Sequence, residues 1–400
     1  MRVPLLDLSE QYRTLVEPIH AEISEIFATQ EFILGPKVRA FEAAIAAYCG
    51  VPHAIGVSSG TDALLAVLMA LGIGPGDAVI TTPFTFFATG GCIARVGAMP
   101  AFVDIDPVTY NISPLALEEY LESQCQERQD GSIVDSAGRT VRAVMPVHLF
   151  GLCCDMDPII AIAQRFRLQV IEDAAQAIGA EYPGKNGTAQ AGTMGLCGCF
   201  SFYPSKNLGA AGDAGLLICR DDTLAERLRI CRQHGMEQRY FHGFIGGNFR
   251  LDEIQAAVLK VKLPHLDGWS AARRGVADVY REEFSRRGLG EHLTFPAEPY
   301  RAAGLTSHHI YHQYVVRTTN REGLLEHLTR REIGTAIYYP VGLHQQQCFR
   351  YLGYQEGDLP GTEGAAQETL ALPIYPELTR EAQVAVADAI QEFFAAPKAR

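Results

Sequence analysis

Lys206 stands in the run FSFYPSKNLG (200–209), among aromatic, small and apolar residues. Burying an ammonium in such company is costly, so the group sheds its proton more readily than a free lysine does. A neutral lysine amine is a nucleophile that condenses with a carbonyl to a Schiff base. The alternative is an ordinary solvated lysine where a strand meets a loop. VSSGTDAL places Ser58, Ser59, Gly60 and Thr61 where a strand gives way to a helix. Free N–H groups and a positive dipole end there suit a phosphate; simple N-capping accounts for the same residues. VIEDAAQA sets Glu172 and Asp173 at the end of an apolar strand. A carboxylate there can pair with the protonated ring nitrogen of a cofactor, or merely hold a neighbouring loop. Thr85, Phe86 and Phe87 follow a third strand end, where an aromatic either stacks on a planar ring or packs in the core.

These residues need a frame that brings strand ends together. From about residue 50 to 235, strand-like runs alternate with helix-like ones. HAIGVSS, AVITTP, MPAFVDID, RAVMPVHLFG and LQVIEDAAQ read as strands, separated by GTDALLAVLMALG, TFFATGGCIARVG, SPLALEEYLES and DMDPIIAIAQRF as helices. CGCFSFYPSK and AGLLICR add two strands flanking the lysine loop. Near-continuous apolar strands alternating with helices predict a largely parallel α/β sheet, with ligands bound beyond the carboxyl ends of its strands. A long helix from near Trp269 leads into a smaller α+β unit, with strand-like HHIYHQYVVR and IGTAIYYP and a final helix from about Thr379.

Lys and Arg number 34 against 46 Asp and Glu, a net charge of −12 with no basic block, so neither nucleic acid nor an anionic membrane is an expected partner. No apolar segment reaches the roughly 18 residues of a membrane span. The opening MRVPLLDLSEQYR meets Asp7 and Glu10 before any apolar core of signal length. Ten cysteines without a repeating frame match no usual zinc spacing, and no metal site is expected. Their apolar settings predict reduced thiols and a cytoplasmic location.

Schiff-base lysine, phosphate cradle, strand-end carboxylate and aromatic shelf are together the parts of a pyridoxal 5′-phosphate site. SSGTDAL, GIGPGDAVITTPFTFFAT, FVDIDPVTYNI, VIEDAAQAIGA, FSFYPSKNLGAAGDAG, GGNFRLDEIQAA and LALPIYPELT follow one another in the chain. In that order they resemble the sugar-nucleotide aminotransferases of the DegT/StrS group, within the fold type I pyridoxal-phosphate enzymes. The resemblance implies a large cofactor-binding domain over 12–262 with a mainly parallel seven-stranded sheet. It implies a smaller α+β domain over 263–400, with 1–11 packing against it. It gives Lys206 the imine and the proton transfers, Asp173 the ring nitrogen, Gln176 the ring hydroxyl and Phe86 the ring face. Gly60, Thr61 and Ser201 bind the phosphate, and His148 lies near the cofactor or anchors its loop. Asn248 reaches the phosphate from the partner subunit, Arg250 lies close to the substrate, and Arg239, Tyr240 and His242 cross into the neighbour's site, which makes the protein a homodimer with shared sites.

The implied reaction passes an amino group from L-glutamate, by way of pyridoxamine 5′-phosphate, to a keto sugar carried on a nucleotide diphosphate. The resulting aminosugar serves polysaccharide or related biosynthesis. Overall similarity favours a 3-keto hexose over a 4-keto one. Many relatives carry histidine where this chain has Tyr338, in AIYYPVGLH, so the substrate contact there is open. A sugar dehydratase of the same fold would replace the lysine by histidine, which Lys206 opposes. A pyridoxal-phosphate-binding regulator without turnover is the reading from a different class.

Overall fold

The computed structural model describes residues 1–395, so the last five residues of the expected 263–400 unit lie outside the described residues. Seven strands form one sheet in the order His53–Val57, Gly215–Cys219, Cys197–Ser201, Gln169–Asp173, Thr140–Met145, Asp77–Thr81 and Met99–Phe102. Gly215–Cys219 runs antiparallel to both its neighbours and the other adjacent pairs are parallel. Two short strands, Cys125–Glu127 and Ile133–Asp135, extend the sheet beside Thr140 and were not foreseen.

Strands covered on both faces must be apolar on both. Ile80, Leu216 and Ile218 accordingly enter one hydrophobic core while Val79 and Leu217, one residue along, enter the other. Two glycines let the strand ends converge. A Cβ on Gly60 would sit 2.7 Å from the Ser201 Cβ, and one on Gly215 would sit 2.3 Å from the Ser59 carbonyl oxygen. Only bare backbone allows the first turn of the Gly60–Ala70 helix to lie against these strands.

Two helices that the sequence reading passed over, Ser9–Thr29 and Pro36–Cys49, precede the sheet. The second starts at Gly35, which has no capping side chain. Glu253, buried within the GGNFRLDEIQAA motif, supplies the cap instead, accepting from Lys37 N at 2.8 Å and Val38 N at 2.9 Å.

The Leu266–Arg286 helix leads to a separate core built around Tyr280, Phe284, Tyr314, Leu370 and Val386, which Val3 joins from the N-terminus. Here two strand expectations fail. HHIYHQYVVR is a strand only over Tyr314–Arg317, because the preceding backbone bonds elsewhere: Ile310 N to Gly151 O, and Ser307 O from Glu181 N. Tyr311, at φ 46°, breaks the extended path. Arg273, buried, collects the freed Tyr311 and His312 carbonyls together with that of Ile374. IGTAIYYP makes only isolated bridges, Ile333 to Val3 and Ala336 to Ala371. The helix expected over TFFATGGCIARVG spans Ala88–Arg95, leaving Thr85, Phe86 and Phe87 in the loop ahead of it.

Candidate active site

The carboxyl ends of the parallel strands open onto a cavity of about 750 Å³. Gly60, Thr61, Phe86, Asp173 and Gln176 line it, as do Ser201, Lys206 and Tyr338. Lys206 arrives on the loop between the Cys197–Ser201 and Gly215–Cys219 strands. Phe202 and Leu208, both wholly buried, pin that loop, and Phe202 N to Ala214 O and Ala210 N to Phe202 O close its base. The lysine is half-buried because its side chain borders the cavity, and no group among the described residues hydrogen-bonds to its amine. Burial lowers its pKa from the ordinary lysine value to about 8, with the charge of Asp173 opposing the shift. Its setting is not that of a solvated corner lysine.

Asp173 ends its strand buried and borders the cavity. Burial pushes its pKa up, while the Thr89 hydroxyl (2.8 Å to Oδ2), the Ala175 N–H (3.2 Å to Oδ1) and the charge of Lys206 pull it back. Gln176 is held at both ends, Oε1 accepting from Phe150 N at 2.7 Å and Nε2 donating to the Tyr339 hydroxyl at 3.1 Å. Ser59 caps the Gly60–Ala70 helix by accepting from Asp62 N, and Ser58 Oγ bonds Asp62 Oδ2. Capping therefore holds, yet Gly60 and Thr61, whose N–H groups no helical turn can satisfy, line the cavity. Phe84 is the core aromatic of its loop, whereas the Phe86 ring is 59% exposed within the cavity wall.

Glu172 and His148 go the other way. Both are wholly buried and line no part of the cavity. Glu172 accepts from His148 Nε2 at 2.8 Å and from the N–H groups of Gly192, Met194 and Gly195 at 2.7, 2.7 and 2.5 Å. His148 Nδ1 accepts from Cys154 N, so the proton sits on Nε2. The histidine is a loop anchor. Glu172→Gln turns an amide NH₂ toward groups that are themselves donors, and we expect about 3 kcal/mol of lost stability. Urea unfolding would show a lower midpoint at unchanged slope; an unmoved midpoint would contradict the assignment.

Asn248, Arg250, Arg239, Tyr240 and His242 are not brought to this chain's cavity. Arg239, Tyr240 and His242 belong to a protruding hairpin, Met236–Gln238 with Phe241–His242, on which Tyr240 is 77% exposed. Asn248 is exposed and Arg250 bridges Val57, its Nε buried without a partner. Among the described residues Lys206 is the one lysine or arginine lining the cavity. The sequence reading missed His312, Gln313, Tyr339 and Thr89, all of which line it. His312 is buried and held neutral, its pKa driven well down by burial and by the charges of Lys206 and Arg273. Its Nδ1 meets Asn207 Oδ1 at 3.3 Å, next to the lysine. Three histidines in HHIYHQ were the available signal, and reading that run as a strand hid it.

The model of one family, described as the DegT/DnrJ/EryC1/StrS aminotransferase family, matches residues 14–391. The chain belongs to that family. It is therefore an aminotransferase, with the fold type I architecture of the pyridoxal-phosphate enzymes. A pleiotropic regulatory protein of Geobacillus stearothermophilus is 47% identical over 98% of this chain and 99% of its own length. A UDP-N-acetyl-3-dehydro-alpha-D-glucosamine 3-aminotransferase of Acidithiobacillus ferrooxidans is 41% identical over 96% of this chain and 95% of its own. Among solved structures, DesV of S. venezuelae in complex with a ketimine intermediate superposes with a TM-score of 0.89 at 38% identity, covering 99% of this chain and 100% of the other.

Proposed function

We propose that the protein uses pyridoxal 5′-phosphate to move an amino group from L-glutamate to a 3-keto sugar carried on a nucleotide diphosphate. The observation that carries this reading is the pairing, across one cavity, of the unpartnered Lys206 amine with the buried Asp173 carboxylate. The residues present fit the cofactor. Asp173 has lone pairs left for a protonated ring nitrogen, since Thr89 and Ala175 use one site on each oxygen. The free Gly60 and Thr61 N–H groups with Ser201 suit the phosphate, the exposed Phe86 ring suits the ring face, and Gln176 Nε2 suits the ring hydroxyl.

The chemistry such a group supplies when bound is an aldehyde that captures amines and a ring that takes up the electron pair left by a lost proton. With that group bound, Lys206 Nζ would hold its aldehyde carbon as a neutral amine and, once freed by the donor's amine, would serve as the base for the donor's α-proton. The same Nζ would return that proton to the cofactor's carbon before water releases the 2-oxoacid, and would reverse these roles on the sugar carbon. Asp173 would hold its charge against a protonated ring nitrogen. His312, neutral beside Lys206, leaves the amine free to cycle between its two protonation states.

Two anionic substrates need cations, and this chain's cavity offers none beyond Lys206. Arg239 and Arg250 of a second copy fill that gap in our reading, with Asn248 and His242 as further polar partners, which makes the site a homodimer's. Mixing Lys206→Ala with Arg250→Ala protomers, each inactive alone, then restores about a quarter of the wild-type rate after random reassortment. No recovery would count against shared sites.

The relative named for a 3-dehydro sugar supports carbon 3. The relative at 47% identity named as a regulatory protein favours a second reading, a cofactor-binding regulator without turnover. Incubation with glutamate and a panel of 3-keto and 4-keto nucleotide sugars decides between them, with products read by mass spectrometry and NMR. The account predicts 2-oxoglutarate and a 3-amino product. A 4-amino product would overturn the regiochemistry, and bound cofactor that ignores every donor would favour the regulator.

A further inference from the structure

Thr89 and Thr85 are buried polar residues to which the sequence reading gave no role of their own, and they form a chain of hydroxyls ending on Asp173. Thr89 Oγ1 lies 2.8 Å from Asp173 Oδ2, and Thr85 Oγ1 lies 3.0 Å from Thr89 Oγ1. An ionised carboxylate only accepts, so the Thr89 proton is committed to Asp173. The Thr89 oxygen is then the acceptor and Thr85 the donor. The chain has one direction, and each bond polarises the next. Thr89 also sits in the first turn of the Ala88–Arg95 helix, whose positive end favours a negative charge nearby.

The main chain of Asp173 is already fixed, its N–H bonded to Pro146 O at 2.9 Å and its carbonyl accepting from His148 N at 3.0 Å. What remains free is the carboxyl group itself, steered by Thr89 on one oxygen and Ala175 on the other. We infer that Thr89, backed by Thr85, is the positioning residue that keeps the Asp173 carboxylate ionised and aimed into the cavity, and so sets how tightly the site grips a protonated ring nitrogen. The inference rests on the cofactor reading given above.

The other groups facing Asp173 are Lys206 from the loop after Cys197–Ser201, Cys199 from that strand and Cys92 from the Ala88–Arg95 helix. His148, after Thr140–Met145, and Tyr339 of the smaller unit complete the set. The charge of Lys206 pulls the carboxyl toward its ionised form, but less than the Thr89 hydroxyl does. The two cysteines and Tyr339 have pKa values raised by their surroundings, are neutral at physiological pH and hold no compensating charge. The hydroxyl chain is thus the main counterweight to burial.

Thr89→Val removes the donor at nearly constant shape, and Thr89→Ser keeps it. In full-length protein without cofactor, isotope-edited infrared titration, with Asp173→Asn as the blank, reads the carboxyl directly. Thr89→Val should raise its ionisation midpoint by about one pH unit, and Thr89→Ser should leave it within about 0.3 of a unit. Titration with pyridoxal 5′-phosphate should then give a Kd about tenfold weaker for Thr89→Val and within about twofold of wild type for Thr89→Ser. Unfolding midpoints confirm that the variants fold; should Thr89→Val fail to fold, Thr85→Val is expected to shift both readings in the same direction by about threefold. A valine variant with wild-type midpoint and Kd would overturn the inference, as would equal weakening by valine and serine, which would mark a packing role. If wild type itself fails to bind the aldehyde, the cofactor reading falls while the infrared titration still decides the role of the hydroxyls.

Discussion

Lys206→Ala is expected to lower turnover by about 10⁴-fold or more while leaving the fold intact. The variant loses both the covalent anchor and the proton carrier, and acid–base catalysis alone contributes about 10²- to 10⁴-fold. No hydrogen bond is broken, since the amine makes none among the described residues. The sign of the stability change can be worked out. In the folded chain the amine titrates near 8 rather than near the ordinary lysine value of 10.5. Between those limits the unfolded chain binds more protons, so this group's contribution to stability rises with pH across the window. Below it, the charged amine opposes folding. Removing it should leave the cofactor-free protein as stable as wild type or slightly more so at pH 7. Capture of aldehyde by cofactor-free wild type should climb with pH and level off above about 8, because about a quarter of the amines are already neutral at pH 7.5. Capture that kept rising toward 10.5 would describe a solvated lysine.

Asp173→Asn is the second large effect, and its signature is a split between activity and stability. Losing the charged partner of a ring nitrogen costs about 3–5 kcal/mol, roughly 10²- to 10⁴-fold in turnover. The stability effect runs the other way. Burial raises the Asp173 pKa, so between the unfolded and folded values the native state binds more protons and stability falls as pH rises. At neutral pH the charge is a net burden on the cofactor-free fold, and asparagine relieves it. The expected outcome is an equal or higher Tm without cofactor, together with weak cofactor retention and a collapsed kcat. A lower Tm with near-normal kcat would assign Asp173 to structure instead.

The parts of this molecule that were legible share a physical cause. Strands buried on both faces must be apolar throughout, so 53–57, 77–81, 169–173 and 197–201 stood out, and polar residues just past their ends marked the cavity. Lys206 was visible because a charge among Phe200, Phe202 and Tyr203 is out of place. What escaped depends on meetings between distant segments. His312 reaches the cavity because residues 307–313 bond to the loops of the large sheet rather than to a strand of their own. The cap that Glu253 provides lies more than two hundred residues from the helix it starts. Glu172 and Asp173 are neighbours with opposite fates, one bound to four donors in the core and one lining the cavity. Strand alternation assigns them to opposite faces without saying which face is which.

Borohydride trapping tests the central claim most directly. Purified protein is given pyridoxal 5′-phosphate, reduced, digested and sequenced by mass spectrometry. The account predicts a yellow solution that bleaches on reduction, with a single phosphopyridoxyl adduct on the peptide holding Lys206 and none in Lys206→Ala. A colourless mixture, or an adduct spread over surface lysines and absent from position 206, would contradict it.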